Sequence, residues 1–189
     1  MEKMTAMAER HSARSTAPAV SRTSAETVAQ TAARYVWAGV RLALGWTFLW
    51  AFIDKLFGLG FATPEGKGWI DGGSPTKGFL SGAEGPFAGF YQDLAGTAFA
   101  NWAFMLGLLG IGLALTLGIA MRIAAAAGAV LYVMMWSVAL PPANNPFMDE
   151  HLIFAAVLVG LALVGAGKTA GFGQFWEKLS IVKRLPWLK

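Results

Sequence analysis

The stretch VRLALGWTFLWAFIDKLFG, residues 40–58, decides the fold class of this chain because it is apolar enough to enter a lipid bilayer. It nevertheless carries Arg41 near one end and Asp54 and Lys55 near the other. A charged side chain at the centre of a bilayer costs roughly 2.5–3.5 kcal/mol on insertion scales. The three charged residues therefore lie either at the two rims of a membrane helix or in a buried site.

The composition of the whole chain also favours a membrane protein. Of its 189 residues, 56% are hydrophobic and 14% are charged, whereas a soluble domain has roughly 25% charged residues. The length suits a single domain. The lack of cysteine excludes thiolate chemistry by this chain, and one of the two histidines, His11, lies in a polar stretch. This argues against a haem held by two histidines.

Hydropathy predicts an all-α integral membrane protein with a bundle of four transmembrane helices, at about residues 35–57, 101–120, 123–140 and 151–167. Residues 1–34 contain no apolar run and are predicted to form a disordered tail. Residues 58–100 form the loop on the opposite side. Residues 168–189 mix basic and aromatic side chains and are predicted to lie at the membrane interface.

The distribution of Lys and Arg predicts the orientation. Eleven of the fifteen lie in the N-terminal tail, at the joint between spans two and three, and in the C-terminal segment. Three lie on the opposite side, namely Lys55, Lys67 and Lys77. The positive-inside rule then predicts a plasma-membrane protein with both termini in the cytoplasm. The net charge of +4 follows from this topology and requires no nucleic-acid partner.

Two further patterns concern surface helices and helix packing. In residues 87–94, apolar side chains recur at helical spacing after Pro86, which predicts a short amphipathic helix on the outer surface; a packed loop is the alternative. Small residues spaced by four let the backbones of membrane helices approach closely. On spans two and four these are Gly110, Ala114, Gly118, Ala156 and Gly160.

Span one ends and span four begins on the same predicted face, so five ionisable residues can meet at the outer rim: Asp54, Lys55, Asp149, Glu150 and His151. Ionisable residues at this depth are candidates for proton transfer and hydrogen bonding. Two structural alternatives stay open. Lys55 can snorkel and pair with Asp149, or the acidic residues can cap the fourth helix, whose N-cap is predicted at Asn145.

Arg41 shares a helical face with Phe48 and Lys55 and is expected near the inner boundary. There it either snorkels to lipid phosphates or contacts an anion or a quinone oxygen. Trp46 and Phe48 can contact an apolar quinone, although aromatic residues of a membrane span more often face lipid or the core. Arg122 is expected to mark a tight cytoplasmic turn.

Four segments, in this order along the chain, carry a resemblance to a known family: RLALGWTFLWAFIDKLFG, WIDGGSPTKGFL, GLLGIGLALTLGIAMR and NNPFMDEHLIFAAVLVGLALVGAG. With these motifs the chain resembles the DoxX/DoxD family of small four-span membrane proteins over about residues 34–173. The resemblance implies the membrane subunit of a thiosulfate:quinone oxidoreductase. Such an enzyme joins two thiosulfates to tetrathionate and passes two electrons to quinone.

Under this hypothesis the ionisable residues of the outer rim supply the candidate catalytic residues Asp54, Lys55 and His151. The candidate contacts to substrate or quinone are Arg41, Trp46, Phe48, Asp149 and Glu150. Quinone is the expected electron acceptor, and no haem, metal or nucleotide is predicted. The chain stops soon after span four, so a second redox subunit is expected beside the lipid bilayer and a potential homo-oligomer. The alternatives are a non-catalytic anchor or assembly partner of an exported redox or stress-defence enzyme, and a small-solute transporter.

Overall fold

The computed structural model describes residues 24–189, which form helices and turns and contain no strand. This confirms the all-α prediction. The chain divides into two units, Met1–Ala32 and Ala33–Lys189. Most of the tail that was predicted to be disordered, residues 1–23, lies outside the described residues. The structure differs from that prediction at residues 24–34, which are helical.

We label the four long helices α1 to α4; they comprise Ser24–Phe57, Ala98–Leu117, Met121–Val138 and Glu150–Leu163. Helices α1, α2 and α3 are long and apolar enough to cross a membrane. Helix α4 is equally apolar but has 14 residues. At about 1.5 Å per residue it is roughly 21 Å long, shorter than a hydrocarbon core of about 30 Å.

The boundary between α2 and α3 is set by backbone conformation. Gly118 ends α2 in the left-handed region, with a φ of 73°, where glycine carries no steric penalty. Ala120 also has a positive φ, of 47°, and α3 begins at the next residue. The two helices therefore reverse direction within three residues, which is the tight turn that the sequence predicts around Arg122.

The start of α4 corrects the predicted N-cap. Asp149 is the N-cap, and its Oδ1 accepts hydrogen bonds from the backbone N–H groups of His151, at 3.0 Å, and Leu152, at 3.4 Å. The prediction of Asn145 is wrong. Asn145 Oδ1 instead accepts from two backbone N–H groups further along the chain, with the shorter bond, at 3.0 Å, from Met148. It closes a turn ahead of the helix because its short side chain bonds locally.

One apolar core takes side chains from all four helices. Its buried members include Phe48 of α1, Leu115 of α2, Tyr132 of α3 and Leu158 of α4. Residues from every helix are thus removed from solvent or lipid at the same centre. This shared core agrees with the predicted packing of four helices, whether or not α4 crosses the membrane.

Glycines do bring the helices together, but two of the predicted ones, Gly110 and Gly160, are not among them. A Cβ atom on Gly45 would lie 2.7 Å from Thr116 Oγ1, and one on Gly128 would lie 2.7 Å from Leu158 Cδ1. Gly110 and Gly160 face open space, so the predicted packing through these two residues is wrong. Small residues are so frequent in these helices that their spacing does not identify the packed face.

The segment between α1 and α2 contains a 3-10 turn, Trp69–Asp71, and two short helices, Lys77–Ser81 and Ala88–Leu94. The last of these confirms that a short helix forms where the sequence predicts one. Tyr91 of this helix is not the surface residue that the predicted amphipathic helix implied. Its side chain is buried, and its hydroxyl lies 2.5 Å from Ser137 Oγ of α3. Tyr91 therefore fastens the short helix to the bundle.

The chain after α4 consists of short helical pieces, namely Ala166–Lys168, Gly173–Trp176, Ser180–Arg184 and Pro186–Leu188. Val182 is fully buried. The aromatic side chains of Phe172, Phe175 and Trp187 remain more than half exposed. This pattern of one buried anchor and several exposed rings suits a segment at an interface.

Candidate functional site

The side chain of Arg41 is completely buried and its guanidinium faces main-chain oxygens. Nη1 donates to the carbonyls of Leu115 and Thr116, the latter at 3.0 Å. Nη2 donates to the carbonyl of Ala170 at 2.7 Å and, more weakly, to that of Thr169 at 3.4 Å. Arg41 therefore donates to two carbonyls of the last turn of α2, and that of Leu115 also accepts from the backbone N–H of Gly118 at 3.2 Å.

This geometry differs from both sequence-based expectations for Arg41. The guanidinium does not snorkel to the surface, and four of its five N–H groups are occupied by the protein. Nε–H is buried without a partner, as is the hydroxyl of Thr116. A positive charge near the C-terminal end of a helix is favoured by the helix dipole. Arg41 therefore joins the end of α2 to the segment after α4.

Glycines make room for this arrangement. A Cβ atom on Gly118 would lie 3.1 Å from Arg41 Nη1, and one on Gly171 would lie 3.1 Å from Nη2. A Cβ atom on Gly167 would meet the carbonyl oxygen of Gly118 at a prohibitive distance. We call Gly118, Gly167 and Gly171 the glycine crossing. At these glycines the backbone at the end of α2 and the backbone after α4 meet around the Arg41 guanidinium.

Asp54 is buried at the last turn of α1, with 1% of its surface exposed. Its Oδ2 accepts from the backbone N–H of Thr63 at 2.8 Å, and Oδ1 accepts from that of Phe61 at 3.4 Å. Both carboxylate oxygens thus hold the loop that follows α1. A buried carboxylate engaged in this way organises structure and presents no free oxygen of its own to a substrate.

Lys55 has a different environment from its neighbour. Its Nζ lies 5.9 Å from the centre of the Phe104 ring on α2, within reach of a cation–π contact. The predicted ion pair with Asp149 is wrong, because no Lys55–carboxylate pair occurs among residues 24–189. Within that range Lys55 makes no hydrogen bond either, so its ammonium is a partly buried cation available to an anion.

Asp149 and His151 form a close polar pair at the start of α4. His151 Nδ1 lies 2.8 Å from Asp149 Oδ2, and the two side chains are 16% and 11% exposed. Because the other carboxylate oxygen caps the helix, Asp149 is held in place from two directions. An ionised Asp149 keeps the imidazole proton on Nδ1, which leaves Nε2 as the nitrogen that exchanges protons.

An aromatic ring lies beside the His151 imidazole. The Tyr132 ring is 6.0 Å from it, and the same ring packs against Phe48 at 5.1 Å and Phe154 at 5.5 Å. Tyr132 is buried within the core. The polar pair therefore lies at the edge of an aromatic cluster that reaches from α1 to α4, an environment with both a titratable nitrogen and apolar ring faces.

The remaining predicted site residues are separated from this pair. Trp46 is 58% exposed and stacks against Trp50 on the outside of α1, whereas Phe48 points into the core. Glu150 is exposed beside the Asp149 cap. No hydrogen bond or ion pair within the described residues links Asp54 or Lys55 to Asp149 or His151. Of the predicted five-residue cluster, the structure joins Asp149 and His151 by a direct side-chain contact and places Asp54 and Lys55 apart from that pair.

Sequence reasoning missed a polar cluster around Asn101, which is 8% exposed. Asn101 Oδ1 accepts from Thr76 Oγ1 at 2.7 Å and from Ser74 Oγ at 3.0 Å. Its amide donates to the carbonyl of Gly96 at 3.4 Å. An asparagine within an apolar span was the available signal. These bonds fix the segment between α1 and α2 to the start of α2.

No group of three or more His, Asp or Glu residues converges on one point in residues 24–189. The described residues therefore contain no side-chain set from which to build a metal centre. Comparison with protein families, with curated proteins and with solved structures found no match for this chain.

Proposed function

We propose that this chain is a DoxX/DoxD-like protein of the plasma membrane and the quinone-facing subunit of an oxidoreductase. The motif resemblance supports the family, and three helices of spanning length support the membrane location. In this proposal α4 is the fourth span, with both termini in the cytoplasm. At the end of α4, the exposed side chain of Leu163 and that of Val164, the residue after the helix, extend its apolar surface.

The observation that carries the catalytic proposal is the Asp149–His151 pair beside the Tyr132 ring. Quinone reduction consumes two protons, and an imidazole held in one tautomer by a carboxylate is suited to deliver them. In the proposed reaction, two thiosulfates and one quinone with two protons give tetrathionate and quinol. Nε2 of His151 donates the proton, and the aromatic rings provide an apolar contact for the quinone.

Lys55 is the candidate contact for the anionic substrate. Its ammonium has a ring beneath it and makes no ion pair in the part of the chain that the structure describes. Arg41 and Asp54 are assigned structural roles because backbone groups occupy them. Electrons are proposed to come from thiosulfate through a second redox subunit, since this chain contains no cysteine.

The test is quinone reduction with thiosulfate by the purified chain in nanodiscs, with and without co-purifying partners. Asp149→Asn keeps an N-cap side chain and removes the charge that orients His151. We expect it, and His151→Gln, to lower turnover at least about tenfold, within the usual range for a general acid. Asp71→Asn, a matched change at an exposed site, should leave turnover unaltered.

A non-catalytic anchor or assembly partner is the second candidate. It is favoured by the fact that Arg41, Asp54 and Asn101 all serve to hold segments of the chain together. Under this proposal a redox enzyme co-purifies with the chain, while neither thiosulfate nor a quinone analogue elicits turnover or binding. Turnover that survives Asp149→Asn and His151→Gln in full would also reject the catalytic role of the pair.

A further inference from the structure

A cavity of about 170 Å³ lies where the end of α2, the start of α3 and the end of α4 meet the C-terminal segment. Its volume is several times the roughly 30 Å³ that one water molecule occupies in the liquid. We call it the basic cavity after its charged lining, which consists of Arg122, Lys168, Lys189 and Glu177. It is distinct from the Asp149–His151 pair, which lies at the opposite end of α4.

The charged lining favours an anion. Arg122 is held by a hydrogen bond of 2.9 Å from Nη1 to the carbonyl of Pro186, which leaves other guanidinium N–H groups to bind a ligand. Lys168 Nζ lies 3.0 Å from Glu177 Oε2, so the one carboxylate neutralises one cation. Arg122 and Lys189 form no ion pair with a side-chain carboxylate in the described residues, and the backbone N–H of Arg122 donates to the main-chain oxygen of Lys189 at 2.8 Å. Two cations without a side-chain carboxylate partner at one cavity match the charge and donor needs of a phosphate.

The rest of the lining favours a lipid as the source of that phosphate. Met121, Ala162 and Leu163 form an apolar part of the wall. Leu163 is 82% exposed, and Val164 beside it is 52% exposed, so an apolar surface continues outward from the cavity. Trp176 also lines the cavity, and tryptophan is enriched at headgroup depth. A free phosphate would leave this apolar surface exposed, whereas the acyl chains of a lipid can cover it.

We propose that the basic cavity binds the phosphate group of an anionic phospholipid, with the acyl chains along the exposed side of α4. Arg122 and Lys189 contact the phosphate, and Lys168 exchanges part of its contact with Glu177 for the ligand. Basic pockets between membrane helices are suited to such headgroups. The site depends only on the structure around the cavity and does not require the proposed redox activity.

The test is competitive lipid retention by the full chain, purified in neutral detergent and analysed by native mass spectrometry. Dioleoyl phosphatidylglycerol and dioleoyl phosphatidylcholine are supplied in equal amounts, and the first should be retained preferentially. Arg122→Gln and Lys168→Gln should each reduce this preference about fivefold, the effect expected for one cation near a membrane surface. Lys178→Gln is the matched control, since Lys178 is exposed and does not line the cavity.

Three results would overturn the proposal. One is the absence of any preference for phosphatidylglycerol in the unmodified chain. Another is an equal loss of preference in the Lys178→Gln control, which would indicate general surface charge. The third is displacement of the lipid by inorganic phosphate, which would assign the cavity to a soluble ligand. Circular dichroism of each variant checks folding, and Lys168→Gln leaves the Arg122–Pro186 bond intact if Arg122→Gln does not fold.

Discussion

The guanidinium of Arg41 bonds to carbonyl oxygens from the end of α2 and from residues 169–170. No carboxylate forms an ion pair with it in the described part of the chain. The fork of a guanidinium suits this role, because it presents several donors in fixed directions, while an ammonium offers a single point charge. Of the three charged residues in residues 40–58, Arg41 therefore lies in a buried site and not at a rim. Its partners there are main-chain atoms.

We predict that Arg41→Met destabilises the protein by roughly 3 kcal/mol or more, because it removes charged hydrogen bonds and leaves buried carbonyls unpaired. Arg41→Lys should recover only part of this loss. The measurement is thermal unfolding in detergent, followed by tryptophan fluorescence. Arg184→Met, the same change at an exposed residue, is the control. Equal unfolding temperatures for Arg41→Met and the control would contradict the assigned role.

The site residues differ in how far the sequence could predict them. The positions of Asp54, Lys55, Asp149 and His151 near helix ends followed from charge and hydropathy, whereas Arg41 lies in the middle of α1. The acidic cap of α4 was one of the alternatives that the sequence left open. The partners of Arg41 and Asp54 were not predictable, because they are backbone groups that every residue carries. The Asp149–His151 contact is local in sequence, whereas its Tyr132 neighbour comes from another helix and depends on how the helices pack.

Among the structural elements, the glycine crossing makes the clearest prediction. Gly167→Ala would drive a methyl group into the backbone at Gly118 and against Met121 Cγ. Backbone atoms cannot move aside as the end of a flexible side chain can. We therefore expect Gly167→Ala to lower the free energy of unfolding by roughly 1–3 kcal/mol. Gly160→Ala is the control on α4, where a methyl group meets nothing within 4 Å. The unfolding temperature in detergent is measured for both glycine variants and for the unmodified chain.

The pair of glycine variants also tests which small residues pack the helices. If spacing by four governed packing, Gly160→Ala would be the harmful change. The structure predicts the reverse order, with Gly160→Ala neutral or stabilising by up to about 1 kcal/mol through helix propensity. A more damaging Gly160→Ala would favour packing through the small-residue stripe and would refute the assignment made here.

Helix positions were largely predictable because long apolar runs report them directly. The start of α1 was not, since residues 24–34 are helical without being apolar, and hydropathy alone does not detect them. The cap of α4 was misassigned because Asn145 and Asp149 are both good N-cap residues and only the fold selects between them. Local propensity leaves such choices open, and tertiary contacts decide them.

For the whole molecule, the proposed topology makes a prediction about accessibility. With α4 as a fourth span, Lys67→Cys and Asn145→Cys should react with a membrane-impermeant maleimide from one side, and Lys178→Cys from the other. All three residues are exposed, and the chain has no cysteine of its own to react. The measurement is labelling of right-side-out and inverted vesicles.

Reaction of Lys178→Cys from the same side as Asn145→Cys would show that α4 does not cross the bilayer. It would leave a protein with three spans and termini on opposite sides. Labelling of the unmodified chain serves as the background control. The orientation of the protein follows from the vesicle type in which the maleimide labels Lys178→Cys. The positive-inside rule predicts labelling in inverted vesicles.

The contacts of Arg41 also have a consequence for the order of events during synthesis. The residue whose carbonyl is bonded at 2.7 Å, Ala170, lies 129 positions further along the chain. A ribosome must therefore add 129 residues after Arg41 before that bond can form. Until then the arginine of α1 lacks these carbonyl acceptors, and water, lipid headgroups or the insertion machinery must supply others. A segment that is translated after α4 is thus needed to complete the contacts of α1.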